Sequence, residues 1–169
     1  MSERITILAS ISNNNNVLGD IGKTGDLFWA LFLSNLRRLE KSNPSSPLIV
    51  GRRTYELMAP SLEDRTTIMM SKGKRFKRGR LTVCSSIEEA LEKARSYSEE
   101  IYVIGGAKIF DQLINHADRL RITEVKNYYN GSTFFPEINP NQWGLVGIIK
   151  HNDYAQHIYE RKREENPVQ

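Results

Sequence analysis

Two short stretches carry residue types that could do chemistry on a charged ligand. In 100–110, the run Glu100-Ile101-Tyr102-Val103-Ile104 ends in Gly105-Gly106 and continues as Ala107-Lys108-Ile109-Phe110. β-Branched and aromatic residues, paired glycines and then a helix-period pattern predict a strand, a tight turn and a helix. Glycine lacks Cβ, so the turn can take angles closed to other residues and let a ligand approach the main chain. The first N–H groups of the following helix have no intrahelical partner and sit at its positive dipole end, which suits a phosphate. The stretch is neither a G-x-G-x-x-G fingerprint nor a P-loop, and taken alone it is more simply a plain strand-to-helix turn. A second instance occurs at Pro47-Leu48-Ile49-Val50-Gly51, followed by Arg52-Arg53-Thr54-Tyr55-Glu56-Leu57-Met58. Two arginines at a helix start oppose the dipole by up to ~1 kcal/mol unless an anion neutralises them, so a bound phosphate is implied here also. The alternative is that both extend into solvent.

Other candidates weigh less. Gly22-Lys23-Thr24 resembles the end of a P-loop, but the first glycine of that motif would fall at Val17. The basic run 72–80 could meet nucleic acid or a phosphorylated ligand, though a solvated loop is the commoner reading. His116, His151 and His157 have no metal-ligand spacing and are expected at the surface, so no metal is expected. Asn130-Gly131-Ser132 fits a glycosylation sequon and reads better as a turn. No Ser-His-Asp or Cys-His arrangement is evident.

The elements that position these residues follow from pattern. A chain of 169 residues, 39% hydrophobic and 26% charged, predicts one globular domain over 1–169. The single Cys84 allows no internal disulfide, residues 1–4 lack the layout of a signal peptide, and no apolar run reaches membrane-spanning length. The expectation is a cytoplasmic monomer that binds a small molecule, with neither nucleic acid nor membrane as partner. Residues 4–11 are apolar on both faces, as in a central strand. Residues 12–28, rich in Asn and Gly, predict a long functional loop. Leu33, Leu36 and Leu39 mark one face of a helix from Trp29 to about Ser42, ended by Pro44. Strands are predicted at 47–51, 65–71, 80–84 and 118–126, with a helix opened by capping boxes at Ser85 and Ser86 and another after the Gly-Gly turn. Residues 145–150 and 154–161 predict a terminal antiparallel hairpin. The whole reads as an α/β sandwich with a mostly parallel sheet.

In this order the residues resemble the dihydrofolate reductase family over nearly the whole chain. The match runs through Val103-Ile104-Gly105-Gly106-Ala107-Lys108-Ile109-Phe110, Leu120-Arg121-Ile122-Thr123, Gly131-Ser132-Thr133-Phe134-Phe135-Pro136, Gly51-Arg52-Arg53-Thr54-Tyr55-Glu56 and Arg65. The resemblance implies a dihydrofolate-reductase-like three-layer sandwich with an eight-stranded sheet, NADPH as hydride donor and 7,8-dihydrofolate as acceptor. It places Ala9 and Ile104 beside the nicotinamide, and Leu18 and Gly19 of the 12–28 lid against the cofactor. Gly105, Gly106 and Ala107 would lie under the pyrophosphate, with Lys108, Ile109 and Phe110 behind them. Arg52, Arg53 and Thr54 would hold phosphates, and Ser71 and Lys72 would lie near the adenosine. Leu36, Leu39 and Met58 would line the substrate pocket, Arg65 would clamp a glutamate carboxylate, and Trp29 and Thr123 would flank the reacting ring.

One departure falls at the chemistry. The family carries an acidic residue early in its first helix, and counting back sixteen positions from Gly51 reaches Asn35, with Ser34 the other candidate. A carboxylate accepts two hydrogen bonds from an amidine-like edge, whereas Asn offers one acceptor and one donor group. Asp26 in the lid and Glu40, about 140° around the helix from Asn35, are poor substitutes. The leading expectation is therefore an NADPH-dependent reductase of dihydrofolate with a weakened proton-donation step. The alternatives are a reductase of this fold acting on another heterocycle, such as the riboflavin-pathway pyrimidine, and a catalytically impaired NADPH-binding protein.

Overall fold

The run that is apolar on both faces becomes strand β1 (Arg4–Ser12), in the interior of a nine-stranded sheet. Alternate side chains of a strand leave opposite faces. Accordingly Ile5, Ile7, Ala9 and Ile11 enter one core cluster and Leu8 the other. The computed structural model describes residues 3–12, 17–18, 26–73, 77–126 and 131–163. In chain order β1 is followed by α1 (Asp26–Ser42), β2 (Leu48–Gly51), α2 (Arg52–Leu62), β3 (Thr67–Met70), β4 (Lys77–Arg78) and β5 (Leu81–Cys84). Then come α3 (Ile87–Arg95), β6 (Glu100–Val103), α4 (Ala107–Leu113) with a 3₁₀ turn (Ile114–His116), β7 (Arg119–Val125), β8 (Trp143–Lys150) and β9 (Tyr154–Arg161).

The strand order is β4-β5-β3-β2-β6-β1-β7-β9-β8. β1 runs parallel to β6 and β7, β2 to β3 and β6, and β3 to β5. The pairs β4–β5, β7–β9 and β8–β9 are antiparallel. This is the expected mostly parallel sandwich with a C-terminal hairpin. The strand beyond the expected eight is β4, a two-residue edge pairing inside the basic run. Helices α1 and α2 cover one face through Leu36, Leu39, Met58 and Leu62, and α3 and α4 cover the other through Ala90, Leu91, Phe110 and Leu113. Burying each large apolar side chain stabilises the fold by roughly 1.5–3 kcal/mol.

Element ends follow local chemistry. Ser86 Oγ accepts from Glu89 N at 3.2 Å, as the expected capping box requires, and Glu89 Oε2 accepts from the preceding Ser85 N at 3.1 Å, so α3 begins behind Ser86. Helix α1 begins at Asp26 rather than Trp29, so residues 26–28, expected in the loop, are helical. Arg65, expected to start a strand, instead closes a turn in which its N–H donates to Leu62 O at 3.0 Å, and β3 starts at Thr67.

Candidate active site

The two glycine turns predicted from sequence sit at the carboxyl ends of neighbouring parallel strands, β2 and β6. There Gly51 N donates to Gly105 O at 2.7 Å. Gly105 has φ 117°, and the Gly105–Gly106 peptide is cis. A Cβ added at Gly51 would stand 3.1 Å from Ile109 Cγ1, at Gly105 3.2 Å from Phe110 Cζ and at Gly106 3.3 Å from Thr54 Oγ1. Glycine thus lets α2, α4 and the turn approach one another. Directly behind, α2 and α4 start on Gly51 and Gly106, neither with a side-chain cap and neither with an acidic residue in its first turn. Their first N–H groups are left for a ligand. Arg52 adds charge, although its Nε also donates to Glu56 Oε1 at 2.9 Å one turn on, so part of the neutralisation expected of an anion comes from Glu56.

A cavity of about 520 Å³ opens between these turns and the end of β1. It lies outside the carboxyl ends of parallel strands, where open α/β sheets bind ligands. It gathers Ala9, Leu18 and Ile104, then Arg52, Arg53 and Thr54, then Gly105, Gly106, Ala107, Lys108, Ile109 and Phe110. It also takes in Leu8, Ser10, Phe32 and Leu57, which the sequence did not single out. Ser71 lines a separate cleft of about 880 Å³ along α2, β3 and β5, and Lys72 is exposed and lines neither that cleft nor the 520 Å³ cavity. Gly19, the Trp29 side chain and most of the expected 12–28 lid lie outside the described residues. Within the lid, Val17 bridges Phe134 and Leu18 bridges Ile11.

Asn35 is found on the sheet-facing side of α1, whereas Ser34 is exposed. Its Nδ2 donates to Thr123 Oγ1 at 3.0 Å, and its Oδ1 accepts from Gln156 Nε2 at 2.9 Å. Thr123 and Gln156 are direct partners in the β7–β9 register, so the sheet holds both ends of the carboxamide. Asn35, Leu39, Thr123 and Gln156 border a smaller cavity of about 200 Å³ with Arg38 and Arg121. Leu8 is the wall common to both cavities.

The expected substrate-pocket residues divide. Leu39 lines the smaller cavity, while Leu36 and Met58 are buried in the core and line neither. Thr54, Met58 and Leu62 form the buried stripe of α2, which turns Leu57 outward at 46% exposure and into the larger cavity. That i, i+4, i+8 spacing was present in the sequence. Arg65 is 4% exposed, and its Nη2 donates to Asn43 O at 2.8 Å and Ser46 O at 3.0 Å. It lines the 880 Å³ cleft, and the structure does not bring it into either cavity beside Leu8. His157 is not a surface residue. Its side chain is 19% exposed with Nδ1 3.3 Å from Glu124 Oε1, because β9 lies between β7 and β8. Burial pushes the Glu124 carboxyl up, against the opposing pull of His157.

Comparison with known proteins identifies the family. The sequence pattern of the family described as "Dihydrofolate reductase" matches residues 4–164. The chain is 34% identical over 171 residues to dihydrofolate reductase type 8 of Escherichia coli, covering 96% of this chain and 98% of that protein. It is 32% identical over 149 residues to dihydrofolate reductase of Bacillus subtilis (strain 168), covering 84% and 88%. Among solved structures, a dihydrofolate reductase from Enterococcus faecalis complexed with NADP(H) and RAB-propyl superposes with a TM-score of 0.77 at 25% identity, covering 95% of this chain and 97% of that one. With the family pattern matched over residues 4–164 and a relative 34% identical over 98% of its length, the chain belongs to the dihydrofolate reductase family.

Proposed function

We infer that the protein reduces 7,8-dihydrofolate to 5,6,7,8-tetrahydrofolate with NADPH, by a route whose proton step lacks a carboxylate at position 35. The observation that carries this reading is the 520 Å³ cavity, where two uncapped helix starts and a glycine cradle face the same space. Those residues fit a dinucleotide. The backbone of 105–107 and Arg52, Arg53 and Thr54 would hold its phosphates, and Ala9, Leu18 and Ile104 its nicotinamide end. When bound, NADPH supplies a hydride. The chain's own residues bind, orient and exclude water. Leu8, Phe32 and Leu57 give the cavity apolar walls for a flat ring. Arg65, buried and anchored by two carbonyls, is the cation for the substrate's glutamate carboxylate. A carboxamide does not ionise near neutral pH, so Asn35 neither donates a proton nor favours a protonated ring by charge. The proton comes from solvent water, and turnover falls as pH rises.

The chain is read further as a cytoplasmic monomer acting without nucleic acid, in keeping with a formal charge of only +4. Among the described residues, no helix is long and apolar enough to cross a membrane. Dihydrofolate-dependent loss of NADPH absorbance tests the activity, and its absence refutes the reading. Titration with both dinucleotides tests the cofactor. Arg52 and Arg53 should favour NADPH over NADH, most at low salt. Equal affinities at every ionic strength would overturn that assignment.

A further inference from the structure

Ser10 lies on β1 two residues before its end, 8% exposed, with its Oγ buried and without a hydrogen-bond partner among the described residues. It lines the 520 Å³ cavity. In the parallel register of β1 and β7 it stands beside Thr123, on the same face as Leu8 and toward α1. A buried hydroxyl without a partner is costly, so native structures rarely keep one unless something outside the chain meets it. The neighbouring polar group is already engaged, since Asn35 gives its Nδ2 to Thr123 and takes Gln156 at its Oδ1.

We propose that the Ser10 hydroxyl is the polar contact the sheet offers to the substrate ring, a specificity-determining group on β1 where position 35 of α1 carries an amide and not a carboxylate. The ligand chemistry it fits is a heterocycle bearing an amide or amidine edge, because a hydroxyl both donates and accepts and can serve either half of such an edge. A nicotinamide carboxamide shares that chemistry. The face Ser10 occupies, with Leu8 and Thr123 toward α1, assigns it to the substrate. The inference rests on the dihydrofolate reading above.

Ser10→Ala tests it, because the variant removes a hydroxyl that meets no hydrogen-bond partner among the described residues. A structural role predicts a lowered Tm, and a hydroxyl with no role predicts an equal or higher Tm with unchanged binding. The expected result is a rise of about three- to tenfold in KM for dihydrofolate and in Kd for folate on the NADP⁺-saturated protein, the weight of one neutral hydrogen bond. NADPH affinity should stay the same and Tm should not fall. Unchanged folate and dihydrofolate constants would overturn the assignment, as would weakening of NADPH alone or a lowered Tm accompanying the loss. Failure of the underlying reading is visible separately in the unmodified protein. If that protein binds NADPH but neither folate nor dihydrofolate, the proposed function fails and the Ser10 assignment falls with it.

Discussion

Replacing Asn35 by aspartate exchanges one NH₂ for an oxygen of nearly the same size, at a position whose two neighbours can both serve the new group. Gln156 Nε2, 2.9 Å from Oδ1, keeps donating. Thr123 Oγ1, 3.0 Å from the second heteroatom, turns from acceptor to donor by rotating its hydroxyl hydrogen. The carboxylate therefore gains two donors without repacking, which offsets the desolvation of a half-buried site. A charge there would favour a protonated substrate ring, and kcat/KM near neutral pH should rise at least tenfold, about 1.4 kcal/mol of transition-state stabilisation. A pH inflection absent from the unmodified protein should appear. Affinity for 2,4-diaminopyrimidine antifolates should increase by roughly ten- to hundredfold, as expected of a charge-assisted pair worth about 1.5–3 kcal/mol. The assay is a pH–rate profile with an inhibitor titration, run beside Ser34→Asp, which should do nothing because Ser34 is exposed. No gain from Asn35→Asp, or a gain from Ser34→Asp alone, refutes the placement of Asn35 beside the substrate.

Arg65→Leu removes the donor to Asn43 O and Ser46 O, so stability should fall by about 1–3 kcal/mol alongside a higher KM for dihydrofolate, with NADPH affinity unchanged. An unaltered denaturation midpoint would deny Arg65 its structural role, and an unaltered KM its clamp. Gly105→Ala forces a side chain onto φ 117° and toward Phe110, and should cost on the order of 1–3 kcal/mol and weaken NADPH binding; a variant matching the parent in both would rule out the cradle. Burial raises the Glu124 carboxyl more than His157 lowers it. A raised carboxyl stabilises the fold fully below its unfolded pKa and loses that contribution as pH rises through the folded value. Relative to Glu124→Gln, the parent should therefore lose stability as pH climbs above the usual carboxylate range, and denaturant midpoints moving the other way would show the His157 pair to dominate.

The sequence by itself determined the parts of this protein that are local. The central strand was legible because apolar residues on both faces have no other soluble home, and α3 because Ser86 and Glu89 satisfy each other's neighbourhood within one turn. The glycine turns and the arginine pair pointed to phosphate chemistry because glycine spacing and helix starts are encoded over a few consecutive residues. Tertiary structure decided what depends on register and helical phase. The hydrogen bond by which Gln156 holds Asn35 spans 121 positions and depends on the pairing of β9 with β7, which leaves no trace in either segment. The same pairing brings the partly exposed His157 against Glu124, and the packing of α2 sends Met58 inward and Leu57 into the cavity. Ser10, unremarkable in an apolar run, became a candidate contact only once its hydroxyl was found facing a cavity without a partner, because an unmet hydrogen bond belongs to a three-dimensional surrounding and not to a stretch of chain.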